Sequence, residues 1–350
     1  SKWSNLIGDP ALHLWSATPI DFSFSHPSSI SLGTTMMDFT ITDENGNRVE
    51  NARVTLLMGD DIIFSTGITD ANGDISLHWD AVESGTMSLT VIKNNYRPYR
   101  STIEISSAEG AAVALDMDII HANAGEWTNF EIVLQNYGSQ TANNVIAELS
   151  SVSEYVTIEE SIIEYGDIFS YSNVILTFPV YIHGIAFDGE DLQFKLTISD
   201  ENNIWINHVP VNISGPELFI QEYIGETMPG LSADISLDIF NQGSIVAKDL
   251  LVELFSNESL ITVMSGSIPI YELSINENIL LEGFNLSFSE DVINGSIFPI
   301  EVVFTSVDGY QRNQTINVTA GVVSETDPLG PDPYGYYIYD SGDTDYESAP

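Results

Sequence analysis

The sequence has 350 residues, of which 43% are hydrophobic, and nine Lys and Arg stand against 51 Asp and Glu for a formal net charge of −42. A surface this acidic repels phosphate backbones and anionic lipid, which disfavours nucleic-acid binding and binding to membrane surfaces. Because the chain lacks cysteine, it has no disulfide, no thiolate metal site and no cysteine nucleophile, and no apolar run reaches the roughly 20 residues of a membrane-spanning helix.

The first part of the chain, residues 1–107, predicts a β-sandwich. Apolar and polar residues alternate over short runs such as 52–58 and 87–92, with Asn-Gly clusters at 43–47 and 70–74 between them. Alternation broken by turn residues about every 8–12 positions is typical of two packed antiparallel sheets.

The two Asn-Gly clusters also resemble the opening of calcium-binding loops, because oxygen-bearing residues recur at alternate positions. A complete loop of that type ends on a Glu at about its twelfth position, which is Val54 for one cluster and Ala81 for the other. Neither residue can bind calcium through its side chain. We therefore predict Asx-rich turns at both places.

An internal repeat with an offset close to 105 residues fills the rest of the chain. The aligned segments are 130–139 with 235–244, 142–149 with 247–254, 192–198 with 298–304, and 209–213 with 314–318. A period this long corresponds to a whole domain. The predicted fold is thus all-β, with three tandem immunoglobulin-like β-sandwich domains at 1–107, 108–215 and 216–323.

Both repeats carry an Asn-x-Gly motif after a predicted strand, Asn136/Gly138 and Asn241/Gly243. Glycine tolerates a positive φ better than any other residue, and Asn-Gly pairs are common in tight turns. We predict that these residues form turns in which the glycine supplies the positive φ.

The C-terminal segment 324–350 changes composition, with seven acidic residues, five tyrosines and no base. It predicts an acidic, Tyr-, Pro- and Gly-rich linker or assembly tail, because such a segment cannot form a core. Four of its carboxylates are spaced as calcium ligands could be: Asp340, Asp343, Asp345 and Glu347. Two interpretations stay open, a calcium site at these four residues or a solvated acidic linker.

No catalytic or cofactor-binding residue is predicted. The six histidines are scattered without the spacing of metal ligands, and no Gly-x-Ser-x-Gly motif supports a triad. An exposed aromatic platform would indicate carbohydrate binding, but four of the tryptophans are scattered singly along the sequence, which favours core positions: Trp15, Trp79, Trp127 and Trp205.

Residues 5–19 (Asn-Leu-Ile-Gly-Asp-Pro-Ala-Leu-His-Leu-Trp-Ser-Ala-Thr-Pro) resemble the junction at which the catalytic domain of gingipain-type cysteine peptidases ends and an immunoglobulin-like domain begins. The sandwich that follows, through about Ile105, resembles that post-catalytic domain, and residues 330–340 resemble segments between domains in large secreted relatives. The central repeats are similar to adhesion modules of bacterial surface proteins. The resemblance implies a secreted bacterial protein processed from a larger precursor. The catalytic Cys and His of the family would lie before Ser1, and no catalytic residue carries over.

The function that we predict is a non-catalytic extracellular structural or adhesive protein, a subunit of a surface assembly or filament. Edge strands and the tyrosine-rich tail offer a route to head-to-tail contacts between copies, or to neighbouring domains of the precursor. The alternative is an accessory, non-catalytic region of a secreted gingipain-type cysteine peptidase.

Overall fold

The computed structural model describes residues 16–106, 110–116, 118–322, 326, 336, 338–339 and 341–343. All regular elements of this part of the chain are β-strands. Within it, no helix has both the length and the apolar character needed to cross a membrane. The strands build three successive immunoglobulin-like β-sandwiches, so the predicted fold class is confirmed.

The first sandwich has seven strands. They are β1 (Ser29–Ile30), β2 (Met36–Thr40), β3 (Arg53–Met58), β4 (Ile63–Ile68), β5 (Asp74–His78), β6 (Gly85–Ile92) and β7 (Tyr99–Ile105). One sheet has the order β1-β7-β6-β3-β4 and the other pairs β2 with β5. Strand β3 illustrates the alternation that the sequence predicts, because Val54, Leu56 and Met58 are buried while the residues between them face outward.

The second sandwich has ten strands. They are β8 (Val113–Leu115), β9 (Ile120–Asn123), β10 (Trp127–Asn136), β11 (Ala142–Ser151), β12 (Val156–Ile158), β13 (Ile162–Ile168), β14 (Asn173–Ile182), β15 (Phe194–Ser199), β16 (Ile204–His208) and β17 (Val211–Ser214). Its two main sheets have the orders β12-β14-β10-β8 and β13-β11-β15-β16, and β9 and β17 form a separate parallel pair.

The third sandwich has eight strands. They are β18 (Leu218–Ile224), β19 (Ser232–Asn241), β20 (Ala247–Phe255), β21 (Ile261–Ser265), β22 (Ser267–Leu273), β23 (Asn278–Phe288), β24 (Ser296–Ser306) and β25 (Gln311–Ala320). The sheet orders are β18-β19-β23-β21 and β22-β20-β24-β25. Strand β19 begins and ends 105 residues after β10. The repeat in the sequence is therefore a repeat of structure.

Each sandwich has its own hydrophobic core. The three cores draw their buried residues from 22–112, 113–213 and 218–320. Ala112, which precedes the first strand of the second sandwich, packs into the first core, and so does the partly buried Tyr137. The three cores thus follow one another closely along the chain. The domain limits at residues 107 and 215 stay predictions.

The two Asn-Gly clusters of the first sandwich are Asx turns, as predicted. Oδ1 of Asp43 accepts the backbone N–H groups of Asn45 and Asn47, both at 2.9 Å. Asp70 accepts the N–H groups two and four residues further on in the same way. Gly73 in the second turn has φ +74°, and a Cβ there would lie 2.6 Å from the carbonyl oxygen of Ile41. Only glycine fits this position.

Candidate functional site: the junctions between the sandwiches

The linker between the second and third sandwiches is only three residues long, from the end of β17 to the start of β18. The N–H of Gly215 donates to Oδ1 of Asp188 at 2.8 Å, and its carbonyl accepts the N–H of Ser244 at 3.1 Å. The N–H of Glu217 donates to Oδ1 of Asn241 at 3.2 Å. A linker this short, with its backbone groups bonded to both neighbours, has little freedom to bend.

Arg312 of β25 joins the third sandwich to the second. Its side chain is only 8% exposed. Nη1 donates to the carbonyl oxygen of Ile185 at 2.9 Å and Nη2 to that of Ala186 at 3.4 Å, while Oε2 of Glu217 in the linker lies 3.4 Å from Nη2. The guanidinium also lies over the ring of Phe187, 4.0 Å from its centroid. One buried cation thus contacts both sandwiches and the linker.

Tyr310 completes this junction. Its hydroxyl accepts the N–H of Leu218, the first residue of β18, at 3.2 Å, and burial raises its pKa to about 12. The backbone of the second sandwich approaches it closely, since a Cβ on Gly184 would lie 2.6 Å from the backbone nitrogen of Tyr310 and from the carbonyl oxygen of Asp308. No side chain larger than that of glycine fits there.

The first sandwich contacts the second at Thr35, which forms hydrogen bonds with residues of β16. The N–H of Thr35 donates to the carbonyl oxygen of Ile206 at 2.9 Å, and its Oγ1 donates to Oδ1 of Asn207 at 3.0 Å. Asn207 is fully buried. On the same side, a Cβ on Gly33 (φ +103°) would lie 2.6 Å from the carbonyl oxygen of Val113. This junction therefore also depends on hydrogen bonds and a close backbone approach.

Two charged or titratable pairs border the first junction. Lys195 of β15 forms an ion pair with Asp38 of β2 at 3.1 Å, with both side chains partly exposed. His78 and His208 stack with their ring centroids 4.1 Å apart. Burial lowers the pKa of His208 below its usual value, and the neighbouring His78 lowers it further. This pair was not predicted from the sequence, because 130 positions separate its members.

The hairpins β15–β16 and β24–β25 build the two junctions. Asn207 of β16 and Arg312 of β25 each bond to the preceding sandwich. The two residues are not equivalent in sheet register, because Asn207 pairs with Leu196, and the residue at the same place in the third sandwich, opposite Val302, is Gln314. The same hairpin is thus used for contact in both repeats, but with residues at different positions.

A fully buried asparagine holds the incoming backbone in the second sandwich. Oδ1 of Asn136 accepts the N–H groups of Gly138 at 2.9 Å and Ala112 at 3.2 Å. Its Nδ2 donates to the carbonyl oxygens of Gln140 at 2.9 Å and Ile168 at 3.0 Å. This one amide therefore satisfies four backbone groups and joins the entering segment to the sandwich.

Asn241 repeats this arrangement in the third sandwich. Its Oδ1 accepts the N–H groups of Gly243 and Glu217, at 3.0 and 3.2 Å. Its Nδ2 donates to the carbonyl oxygens of Ile245 and Leu273, at 2.9 and 3.1 Å. All four partners lie 105 residues after those of Asn136. We call each of these networks an asparagine corner.

The prediction that the glycines of these motifs supply a positive φ is wrong. Neither Gly138 nor Gly243 lies in the left-handed region. Glycine is needed because a Cβ on Gly138 would lie 2.3 Å from the carbonyl oxygen of Gly110, and a Cβ on Gly243 would lie 2.3 Å from that of Gly215. Close packing on the incoming backbone, not the φ angle, requires the glycine.

The predicted calcium ligands fall mostly outside the described residues. Asp340, Asp345 and Glu347 are among the residues that are not described, and Asp343 is buried, 5% exposed. Among the described residues, no group of three or more His, Asp or Glu is arranged to hold a metal ion. The site at Asp340, Asp343, Asp345 and Glu347 stays a prediction.

The prediction of core positions is correct for two tryptophans and wrong for a third. Trp79 and Trp205 are buried, whereas Trp127 is 56% exposed and lies beside Tyr181 on the outer face of β10 and β14, with ring centroids 5.4 Å apart. Trp15 lies outside the described residues. Trp127, Asn129 and Glu131 are alternate residues of β10 and therefore lie on the same face of the strand. The polar Asn129 and Glu131 could have indicated that this face points outward.

These junctions hold neighbouring sandwiches together through hydrogen bonds of backbone and polar side-chain groups. Their titratable groups include two ion pairs, a tyrosine bonded to the first residue of β18 and a histidine stack. None of these arrangements places a nucleophile beside a base in the manner of a hydrolase triad.

Neither a protein-family model nor a curated protein matches the sequence. The chain is similar to a three-Ig fragment of titin with E-to-A mutations, at 10% identity over 88% of this chain and 100% of that one, with a TM-score of 0.21. It is also similar to Escherichia coli alpha-2-macroglobulin activated by porcine elastase (14% identity, 88% of this chain, 33% of that chain, TM-score 0.26). A protein of unknown function from Porphyromonas gingivalis gives 11% identity, 59% and 99% coverage and a TM-score of 0.22. These scores are too low to support an argument.

Proposed function

We propose that this chain is a non-catalytic extracellular structural protein whose three sandwiches act as a stiff spacer within a surface assembly. The observation that carries the proposal is Arg312, a buried cation of the third sandwich that bonds both to the linker and to the second sandwich. A spacer needs joints that resist bending, and a joint closed by a buried, hydrogen-bonded side chain does so.

The high acidic charge supports the same function. A net charge of −42 keeps copies soluble at a crowded surface and disfavours binding to nucleic acid or to membrane. We propose secretion because residues 5–19 and 330–340 resemble segments of secreted bacterial proteins. The protein partners would be other subunits of the assembly or neighbouring domains of a precursor.

Substitution of Arg312 tests the spacer. Arg312→Ala leaves Glu217 and two carbonyl groups without their partner, so we expect the second and third sandwiches to move relative to each other. In small-angle X-ray scattering, the variant should give a broader distribution of interatomic distances. It should also be cleaved faster by protease between residues 214 and 218.

The matched control is Arg48→Ala, which removes one cation from an exposed position of the first sandwich, away from the second joint. It should scatter like the parent chain. If Arg312→Ala also scatters and resists protease like the parent, the second joint is not closed by this side chain and the spacer proposal fails.

The second candidate is an accessory region of a secreted gingipain-type cysteine peptidase. It is favoured by the resemblance of residues 5–19 and 330–340, most of which lie outside the described residues. A coding sequence upstream of Ser1 for a peptidase domain with a catalytic Cys and His would support it. An upstream sequence that encodes only further sandwiches would reject it.

A further inference from the structure

The few cations of this chain are concentrated in its first sandwich. Six of the nine Lys and Arg lie within residues 1–107, against 13 acidic residues, whereas residues 216–323 have two cations and 15 acidic residues. Two copies of such a chain repel each other across most pairs of surfaces. A contact between copies is therefore most favourable where a cation-bearing surface of one meets an acidic surface of the other.

One outer sheet face of the first sandwich combines two arginines with exposed apolar side chains. Arg53 of β3 lies between Ile68 of β4 and Ile92 of β6. Two residues along β6, on the same face of the sheet, Thr90 pairs with Arg100 of β7. The arginine face, as we name it, consists of Arg53, Leu57, Phe64, Ile68, Ile92 and Arg100.

The two arginines of this face have no carboxylate partner. The ion pairs in the described part of the chain are those of Arg97, Lys195 and Arg312, and neither Arg53 nor Arg100 has a carboxylate oxygen within 4.0 Å among the described residues. Arg48, Lys93 and Lys248 likewise have no ion pair among the described residues, so what distinguishes Arg53 and Arg100 is that they share one sheet face with exposed apolar side chains. They are available to a carboxylate from outside.

The apolar residues of the arginine face are also well exposed. Phe64 is 61% exposed, Ile68 53% and Ile92 44%. Strand β4, which carries the first two, is the last strand of its sheet. A flat, partly apolar surface beside an open sheet edge is suited to binding another sheet.

A complementary face lies on the third sandwich, on the outside of β18, β19 and β23. Glu222, Asp238 and Leu280 are aligned across the three strands, and Asp234 and Glu282 lie further along. Phe219 extends the apolar part and is 51% exposed. The acidic face, as we name it, consists of Phe219, Glu222, Asp234, Asp238, Leu280 and Glu282.

No cation neutralises the acidic face among the described residues. Asp234 accepts a hydrogen bond from the side-chain amide of Asn285 at 2.7 Å, and Asp238 accepts one from Asn278 at 3.0 Å. These are neutral partners. A guanidinium from another molecule could bind these carboxylates in bidentate geometry.

We propose that the arginine face of one copy packs on the acidic face of the third sandwich of a second copy. The second copy is the occupant because its acidic face carries carboxylates and apolar side chains on one sheet surface, the complement of what the arginine face presents. The two faces differ, so the contact is heterologous, and repeating it from copy to copy builds a chain or a ring. The proposal specifies the contact of the assembly in the proposed function.

Sedimentation velocity of the full chain over a range of protein concentrations tests the contact. The parent chain should associate, and Arg53→Glu with Arg100→Glu should weaken association by about tenfold or more, because like charges then meet across the contact. The matched control, Arg48→Glu with Lys248→Glu, makes the same change of net charge at exposed positions outside both faces and should associate like the parent.

A charge exchange identifies the partner face. Adding Asp234→Arg and Glu282→Arg to the weakened arginine-face variant should restore association, and the melting temperature of each variant verifies that it is folded. A parent chain that stays monomeric at every concentration, association that ignores the arginine-face changes, or association that the exchange does not restore would each overturn the proposal. The scattering test of Arg312 reports on stiffness within one chain, so its outcome is independent of these.

Discussion

At the scale of single residues, the asparagine corners connect sequence to fold most directly. Asn136 and Asn241 each bond four backbone groups, and one of these groups in each case belongs to the segment that enters the sandwich. A buried amide with all its bonds made is stable, but losing it leaves several buried backbone groups without partners. The corner thus links the stability of a sandwich to the placement of the one before it.

Removing one corner should therefore strongly destabilise its sandwich. For Asn241→Ala we expect the free energy of unfolding to fall by about 3–5 kcal/mol, since four buried backbone groups lose their partner. Asn313→Ala is the control, because the side chain of Asn313 is exposed and, among the described residues, donates a hydrogen bond only to Glu301. This substitution should change stability by less than about 0.5 kcal/mol. Urea denaturation measures both, and equal effects would contradict the role of the corner.

A second residue-scale prediction concerns the glycine of the corner. In Gly138→Ala the new methyl group would meet the carbonyl oxygen of Gly110 and the backbone nitrogen of Ala112, and backbone atoms cannot move aside cheaply. We expect a loss of about 1–3 kcal/mol. Gly110→Ala, at a position with open space around its Cβ, should be neutral or slightly stabilising. Thermal melts compare the two, and a neutral Gly138→Ala would refute the packing argument.

Some of this residue-level detail could have been read from the sequence. Asn136 and Asn241 occupy the same place in the repeat, which indicated a shared role, but a turn was the simpler interpretation of Asn-x-Gly. The two asparagines are instead buried. Their burial depends on segments such as 110–112 that are distant in sequence. Arg312 was detectable as one of three cations after residue 100, yet the groups of the second sandwich that accept its hydrogen bonds are backbone carbonyls, which residue identity does not reveal.

At the scale of elements, long alternating strands were predictable and short ones were not. Strand β10 has the clear period of two that buries Phe130, Ile132 and Leu134. The two-residue β1 and the parallel pairing of β9 with β17 depend on tertiary contacts, since so few residues give no periodic signal. Junction strands such as β16 have the same limitation, because their free sheet edge is contacted by another sandwich.

The histidine stack at β16 predicts a pH response of the first junction. Because the pKa of His208 is lowered in the folded chain, the unfolded chain binds a proton first as the pH falls below about 6.5. The stability that neutral His208 contributes is therefore fully present above about pH 6.5. It is lost as the pH falls from there through the lowered pKa of the folded chain. Asp80 and Asp191, which act in the opposite direction, limit the effect.

Melting temperatures between about pH 5 and 7 test this response. The parent chain should lose stability on acidification relative to His208→Gln, which has no proton to bind there. His121→Gln, at an exposed position, is the control and should follow the parent. Parallel curves for the parent and His208→Gln would show that the stack does not govern the junction.

At the scale of the whole molecule, repulsion between like charges opposes the stability that the hydrophobic cores provide. The net charge of −42 is distributed over all three sandwiches and the C-terminal segment, with only three ion pairs among the described residues. Repulsion between exposed carboxylates extends over roughly a Debye length, about 10 Å at 0.1 M salt. Composition alone predicted this property, because it needs no knowledge of the fold.

Added salt should accordingly stabilise the protein. Screening by NaCl should raise the melting temperature, by about 4–8 °C for each kcal/mol of repulsion removed from a domain of this size. A variant with Asp234→Asn, Asp238→Asn and Glu282→Gln should melt higher at low salt and gain less from added salt. A melting temperature that falls with salt would mean that attractive ion pairs outweigh the repulsion.

The position of the joints within the repeat has a consequence for how such a protein can be lengthened. Each corner, and each of the contact residues Asn207 and Arg312, belongs to the downstream sandwich and bonds to the segment or the sandwich before it. A duplicated gene segment would therefore carry its own contact residues. Its new upstream neighbour would need little more than a glycine and a few accessible hydrogen-bonding groups at the facing loop, so copies could be added in series without redesigning those already present.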